Sequence, residues 1–307
     1  MKKIILYILT LILTITLSSC GNKTQEVNII CPSGTPLLSI INYMDEHKEA
    51  NVEVANGSDP LVAAFSKEYY DVIIAPVNLG AKFYNTNGNY ILAKTIVWGN
   101  LYIASKNEMT SIDDLNNKKL VVFGKNSTPD IIIKAILESR TDLNIEIEYV
   151  SDVQEANALL VSGKAEYAIS AEPSLSKIKD AKGFNTLDLQ EEYSKISGTK
   201  SYPQAGIFVL KSKKNDSLIK GVLNSLIESV KETNKDPQST ASKAIELNET
   251  FKTLGKDALV KAIPNCHFSI ESKKEEKKAV EKYLELMISL GFSNQVGDKV
   301  PDEEFFL

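Results

Sequence analysis

The sequence predicts an α/β fold divided into two lobes, and three observations support this prediction. Short apolar runs alternate with segments whose apolar residues recur every three to four positions, which is typical of β-α-β units and of largely parallel sheets. Two long extended runs interrupt that alternation. The chain has 307 residues, more than a single hydrophobic core usually organises.

Six strands are predicted, each followed by a turn and a helical pattern. They span 27–30, 51–55, 71–75, 120–123, 145–150 and 166–170. Capping residues mark two helix starts, because Asp59 precedes a proline and Asp152 is followed three positions later by Glu155. Later apolar stripes, over 218–230 and 279–290, predict helices that pack on the core.

The two extended runs, 90–105 and 202–211, predict that the chain crosses twice between the lobes. The first lobe then comprises residues 27–104 and 207–307. The second lobe, residues 105–206, is inserted into the first. Two crossings of this kind are the usual layout of a hinge between two lobes.

Composition and charge argue against several function classes. The chain has 35 basic and 40 acidic side chains and a formal net charge of −5, so a surface that neutralises nucleic-acid phosphates is not expected. Three cysteines and two histidines are too few for a disulfide scaffold or a dense metal cluster, and we predict neither a metal nor a cofactor. The sequence has no nucleophile elbow, Walker loop, zinc-protease helix or dinucleotide-binding glycine motif. It therefore predicts a protein that is not an enzyme.

The N-terminus has the order of a secretory signal, with two lysines before an apolar run over 4–17. Residues 17–20, Leu-Ser-Ser-Cys, resemble the lipobox at which bacterial prolipoproteins are acylated on cysteine and cleaved. We therefore predict a signal peptide over 1–19, a lipid on Cys20 and a polar tether over 20–26. This would hold the protein at the extracytoplasmic face of the bacterial cell membrane. The alternative is a plain signal peptide, or a short membrane anchor, in which the cysteine is accidental.

The order of several further motifs resembles type II solute-binding lipoproteins of ABC importers. The motifs are SIDDL at 111–115 with KKLVV at 118–122, GKAE at 163–166 with AEP at 171–173, KAIPNC at 261–266 and PDEEFF at 301–306. The last two are similar to segments of the group that binds nitrate, taurine and thiamine pyrimidines. The likeness runs over nearly the whole mature chain.

The resemblance implies a periplasmic-binding-protein-like (type II) fold with a ligand cleft between the lobes. It implies a monomeric receptor that binds a small molecule and delivers it to an ABC permease powered by a cytosolic ATPase. Contact with the membrane is then made through the lipid only. Two alternatives stay open: an enzyme on the same fold, such as a menaquinone-pathway dehydratase or a thiamine-pyrimidine synthase, and a sensory or adhesive surface lipoprotein. The lipobox argues against a cytosolic enzyme.

In such a receptor the ligand lies at the carboxyl ends of the strands, where helix N-termini offer free N–H groups. Four turns there are rich in small, hydroxyl or amide side chains. The predicted site residues in these turns are Ser33, Gly34, Thr35, Asn56, Gly57, Ser58, Pro76, Val77, Asn78, Asn126, Ser127 and Thr128. Trp98 and Tyr202, on the crossings, are predicted to stack on the ligand, and Glu172 to accept a hydrogen bond from it. The alternatives are helix capping by the turns, hinge packing by the aromatic residues and a loop-fixing role for Glu172.

Arg140 is the only arginine in the chain. It ends a predicted helix of the second lobe, remote in sequence from every candidate turn, so an arginine clamp on an anion is not expected. This favours a neutral ligand held by hydrogen bonds and stacking, with Lys125 as a point charge beside one turn. Cys31 and Cys266 are interpreted either as a disulfide pair or as two buried thiols.

Overall fold

The computed structural model describes residues 26–307 and contains two five-stranded sheets. The strands are, in chain order, β1 Asn28–Pro32, β2 Asn51–Ala55, β3 Val72–Pro76, β4 Tyr90–Val97, β5 Leu101–Ser105, β6 Lys118–Phe123, β7 Ile145–Val150, β8 Tyr167–Ala171, β9 Asn185–Asp188 and β10 Ala205–Leu210. The predicted signal peptide over 1–19 and the predicted lipid on Cys20 lie outside the described residues. Within 26–307, none of the helices combines the length and the apolar character needed to span a bilayer.

Helices cover both faces of the sheets. They are, in chain order, α1 Thr35–Ser39, α2 Ile41–Glu46, α3 Asp59–Lys67, α4 Val77–Asn87, α5 Thr128–Glu138, α6 Val153–Ser162, α7 Ser174–Lys182, α8 Leu189–Ser197, α9 Ser217–Lys235, α10 Pro237–Leu247, α11 Glu249–Leu254, α12 Lys256–Ala262 and α13 Lys273–Ser289. The two long helices α9 and α13 carry the apolar stripes expected from the sequence. The core-facing residues of these stripes are buried, and burial of one such aliphatic side chain stabilises the fold by roughly 1.5–3 kcal/mol.

The two sheets share one pattern of pairing. In the first, ordered β2-β1-β3-β10-β4, β1 is parallel to β2 and β3, whereas β10 is antiparallel to β3 and β4. In the second, ordered β7-β6-β8-β5-β9, β6 is parallel to β7 and β8, whereas β5 is antiparallel to β8 and β9. In each sheet four of the five strands therefore run in the same direction, as the expectation of largely parallel sheets requires, and one strand is reversed. The strand that runs opposite to the other four is β10 in the first sheet and β5 in the second.

The two predicted helix caps have different outcomes. At α6, Asp152 Oδ1 accepts a hydrogen bond from the backbone N of Glu155 over 2.9 Å, as predicted. At α3 the prediction is wrong, because the N-cap is Ser58 and Asp59 lies inside the first turn. Ser58, the N-cap, has φ −85° and ψ −31°, and α3 begins at Asp59 itself, so this carboxylate is at the first helical position and not at the cap.

Short connections join the two sheets. β4 ends at Val97 and β5 begins at Leu101, so the first crossing consists of residues 98–100. Residues 101–104 therefore lie in the second sheet, although the sequence assigns them to the first lobe. β10 begins at Ala205, two residues before the first lobe was expected to resume. Apolar residues flank the short crossing on both sides, in β4 and in β5, which makes the change of sheet hard to read from the sequence.

The lobes contact each other directly in this structure. Lys177 Nζ, on α7, donates to the carbonyl oxygen of Thr253 over 2.9 Å. The hydroxyl of Tyr102, on β5, donates to the carbonyl oxygen of Asn265 over 2.9 Å. Each of these hydrogen bonds joins a residue of the second lobe to a residue of the first.

Cys31 and Cys266 are buried free thiols. Burial raises the pKa of both thiols above its ordinary value. The sequence leaves open either a disulfide pair or two buried thiols, and the structure shows two buried thiols.

Candidate ligand-binding cleft

A cavity of about 460 Å³ lies between the lobes. The carboxyl ends of parallel strands meet at one edge of a sheet, and here the residues that follow β1, β2, β7 and β8 line the same space. The lining consists of residues 33–36 after β1, residues 55–57 at the end of β2, Asn100 and Gln204 on the crossings, residues 153–154 at the start of α6, residues 171–174 after β8, and Thr250, Phe251 and Leu254 on α11. Both sheets and both crossings therefore contribute to one cleft.

Six of the predicted site residues line this cleft. They are Ser33, Gly34, Thr35, Asn56, Gly57 and Glu172. Their ligand-binding role stays a prediction, but the structure brings together the turn after the first strand, the turn after the second strand and a residue of the second lobe.

The other predicted turn residues do not line the cleft. Ser58 is exposed at the start of α3. In the next turn, Pro76 ends β3 and precedes α4, which begins with Val77 and Asn78, and Val77 N donates to the carbonyl oxygen of Gln204 over 3.2 Å. This turn therefore forms a backbone hydrogen bond with the second crossing and does not face the cleft.

The turn at the start of α5 is used for a contact between the lobes. Gln295 Nε2, near the C-terminus, donates to the carbonyl oxygen of Asn126 over 2.8 Å. Ser127 Oγ donates to the carbonyl oxygen of Gly124 within its own turn, over 2.5 Å. Thr128 is the first residue of α5 and does not line the cleft either.

The two aromatic residues of the crossings pack at the hinge. Tyr202 is fully buried, donates its hydroxyl to Gln190 Oε1 over 2.7 Å and packs edge-on against Tyr193. Trp98 Nε1 donates to the carbonyl oxygen of Ser269 over 3.0 Å. Trp98 lines a different cavity, of about 320 Å³. The ring of Tyr202 therefore packs at the hinge rather than facing the cleft, whereas Trp98 lines the second cavity and its stacking on a ligand stays a prediction.

A hydrogen-bond network joins the two lobes to the first crossing at one corner of the cleft. Asn100 Nδ2 donates to Thr35 Oγ1 over 2.7 Å and to the carbonyl oxygen of Glu172 over 2.8 Å. The backbone N of Glu172 donates in turn to the carbonyl oxygen of Asn100, over 3.0 Å. Sequence reasoning missed Asn100, although a polar side chain within a long apolar run was a signal that could have identified it.

The carboxyl group of Glu172 caps the helix that follows it. Its two oxygens accept from Ser176 Oγ over 2.8 Å and from Ser176 N over 3.0 Å. Burial raises the pKa of this carboxyl from 4.5 to about 7, and the hydrogen bonds from Ser176 act in the opposite direction. Glu172 is therefore a buried capping residue at the cleft.

Two acceptor atoms of the cleft residues are buried without a partner. Among the residues that the structure describes, no hydrogen-bond partner reaches Asn100 Oδ1 or Gln204 Oε1. Gln204 was also missed, because its sequence context in the second crossing resembles an ordinary loop. The helix α11 gave no sequence signal either, since only the tertiary fold brings it over the cleft.

Neither Arg140, which the sequence predicts to be remote from the ligand, nor Lys125, which it predicts as a point charge beside one turn, lines the cleft. Arg140 forms exposed ion pairs with Asp113 and, at 2.8 Å, with Asp142. Lys125 Nζ lies 5.2 Å from the ring centre of Tyr149. Within residues 26–307, no group of three or more His, Cys, Asp or Glu side chains is placed to hold a metal ion.

In comparisons with known proteins, this chain resembles solved structures in its fold. No protein-family model matches the chain, and no curated protein matches its sequence. A solved structure of an ABC transporter protein from Parabacteroides distasonis is 22% identical, covers 92% of this chain and 98% of its own, and has a TM-score of 0.76. The periplasmic aliphatic sulphonate-binding protein SsuA from Escherichia coli is 11% identical, with coverage of 91% and 93% and a TM-score of 0.69.

A third structure is the alkanesulfonate-binding protein SsuA from Xanthomonas axonopodis pv. citri bound to MOPS. It is 11% identical, covers 94% of this chain and 99% of its own, and has a TM-score of 0.64. At these identities the likeness is one of fold. It confirms the two-lobed α/β periplasmic-binding-protein fold, and it confirms at the level of fold the resemblance to solute-binding proteins of ABC transporters.

Proposed function

We propose that this protein is a solute receptor that binds one small molecule between its lobes and delivers it to an ABC permease. A cytosolic ATPase drives transport through that permease, and the receptor acts as a monomer at the extracytoplasmic face of the cell membrane. The cleft of about 460 Å³, walled by both lobes and both crossings, is the observation that carries this proposal. Its volume falls within the range of small-molecule sites.

The crossings have the features of a hinge. Only residues 98–100 separate β4 from β5, so small dihedral changes there move one lobe relative to the other. Gly99 has a φ of +84°, and a Cβ atom there would lie 2.6 Å from the Gln190 side chain and 2.8 Å from Tyr202. The crossing thus requires glycine at this position.

A lipid on Cys20 keeps the receptor beside its permease. The lipobox supports this anchor, and the polar residues 20–26 supply the tether. Fully extended, six or seven residues span at most roughly 20–25 Å. The cleft would therefore stay within reach of a permease in the same membrane.

The chemistry of the cleft favours a receptor over an enzyme on the same fold. Glu172 is the only ionisable side chain among the lining residues, and both of its carboxyl oxygens are occupied by Ser176. General acid-base catalysis requires a titratable group that is free to reach the substrate. The three structural neighbours are described as transporter or binding proteins.

Solute capture tests this function. Residues 21–307 are unfolded in guanidinium, refolded without ligand, incubated with the small-molecule fraction of yeast extract and examined by native mass spectrometry. We expect one solute per chain. Thr250→Trp, which fills the cleft from the exposed face of α11, should abolish the adduct. The control Thr86→Trp, on the exposed face of α4, should retain it. Absence of any adduct from the unsubstituted protein would contradict the proposal.

A further inference from the structure

Uncharged polar residues line the cleft on both lobes. Ser33, Asn56 and Thr250 belong to the first lobe, and Gln154 and Ser174 to the second. All five are exposed or half-buried, so a solute between the lobes can reach them. Within residues 26–307, none of these five side chains forms a hydrogen bond with another protein group. Their hydroxyl and amide groups, which both donate and accept, are therefore available to a ligand.

The cleft offers no positive charge to a solute. None of the residues that line it is a lysine, arginine or histidine. The N-terminus of α6, where residues 153–154 line the cleft, already carries the carboxylate of Asp152, which accepts from Glu155 N. At the N-terminus of α7, Glu172 accepts from Ser176 N in the same way. An anion enclosed here would lose its hydration without gaining a counter-charge, which is costly.

A free negative charge is missing from the cleft as well. Glu172 is the only acidic residue among those that line it. This residue is 4% exposed, and both of its carboxyl oxygens accept hydrogen bonds from Ser176. A cation between the lobes would therefore lack a partner just as an anion would.

Ring stacking is not available from the residues that line the cleft. Phe251 is the only aromatic residue among them. Its side chain is fully buried and belongs to the core of the first lobe. Recognition of a solute in the cleft therefore depends on hydrogen bonds with neutral groups.

We propose that the solute bound in this cleft is an uncharged compound that carries several hydroxyl or amide groups, and that Asn56 and Gln154 hold it from opposite lobes. Such groups both donate and accept hydrogen bonds, as the available side chains do. The inference rests on the proposed function, because it names the ligand class of the same site. It distinguishes the chain from its structural neighbours that are described as binding sulphonates.

The test reads the charge and the functional groups of the captured solute. The refolded protein is incubated with the small-molecule fraction of yeast extract, to which mannitol, ethanesulfonate and choline are added at equal concentration. Bound molecules are released and identified by mass spectrometry. We expect an uncharged compound with several hydroxyl or amide groups. A bound compound that carries a charged group, or that lacks hydroxyl and amide groups, would overturn this inference and leave the receptor function standing, whereas no bound compound at all would overturn both.

Variants at the two amides then test the assigned contacts with the captured compound by calorimetry. Asn56→Leu and Gln154→Met remove the amide at similar size, and each should weaken binding roughly fivefold, the effect of one lost hydrogen bond. Both positions are exposed, so the fold should be retained. The control Gln238→Met, on the exposed face of α10, should not change affinity. Unchanged affinity in Asn56→Leu or in Gln154→Met would contradict the contact assigned to that residue.

Discussion

The Thr35 hydroxyl in the first lobe donates a hydrogen bond to the carbonyl oxygen of Glu172 in the second lobe, over 2.7 Å. Asn100, on the crossing between them, donates to both of these oxygens. One residue from each lobe and one from the hinge therefore meet at a single corner of the cleft. Closure of the lobes and the shape of the ligand site depend on the same three residues.

We predict that Thr35→Val favours the open arrangement of the lobes. Valine matches threonine in shape but removes the hydroxyl, which leaves Asn100 and Glu172 with fewer partners and costs on the order of 1–2 kcal/mol. Small-angle X-ray scattering of the ligand-free variant should give a larger radius of gyration than the unsubstituted protein. The matched control is Thr86→Val, because the exposed Thr86 hydroxyl bonds only to Lys82 O within its own helix. Equal radii for Thr35→Val and the unsubstituted protein would contradict this role.

The buried carboxyl of Glu172 should make stability depend on pH. Burial raises its pKa to about 7 from an ordinary value of 4.5, so the unfolded chain releases this proton at a lower pH than the folded protein does. Its contribution to stability is therefore complete below about pH 4.5 and is lost as pH rises to about 7. The loss amounts to at most about 3 kcal/mol.

Urea unfolding between pH 4 and 8 measures this effect. Glu172→Gln cannot ionise, so the stability of the unsubstituted protein relative to this variant should fall as pH rises through that window and then level off. Glu246→Gln, at an exposed position on α10, is the control and should leave the pH profile unchanged. Parallel profiles for the unsubstituted protein and Glu172→Gln would show that burial does not shift this group.

Cys20→Ser tests the lipid anchor. The lipobox directly precedes this cysteine, so the variant should be released to the medium or should accumulate as an uncleaved precursor. Cell fractionation and the mass of the mature chain measure both outcomes. A variant that matures normally and fractionates with membranes would contradict the anchor.

Solute binding should stabilise the closed arrangement. The two crossings allow the lobes to move as units, and a solute that contacts both lobes binds their closed state more tightly. The captured solute should therefore lower the radius of gyration of the protein in solution. It should also raise the melting temperature as its concentration exceeds Kd. A saturating solute that leaves the scattering curve unchanged would exclude hinge closure.

The sequence predicts the class of fold well, because apolar periodicity and turn residues are local signals. The turns at 33–35 and 56–57 were found because the carboxyl ends of β1 and β2 lie at the cleft, but the same rule failed for the turns after β3 and β6, which do not line it. Asn100 and Gln204 were missed because their importance depends on which atoms stay unpaired after folding. The position of Tyr202 could not be deduced either, because only packing against Tyr193 decides that its ring faces the hinge.

A crystal structure of the protein saturated with the captured solute tests the central claim most directly. We predict that the solute lies between residues 33–35 of the first lobe and residues 171–174 of the second. A solute found instead in the cavity beside Trp98, with the cleft between the lobes empty, would contradict it.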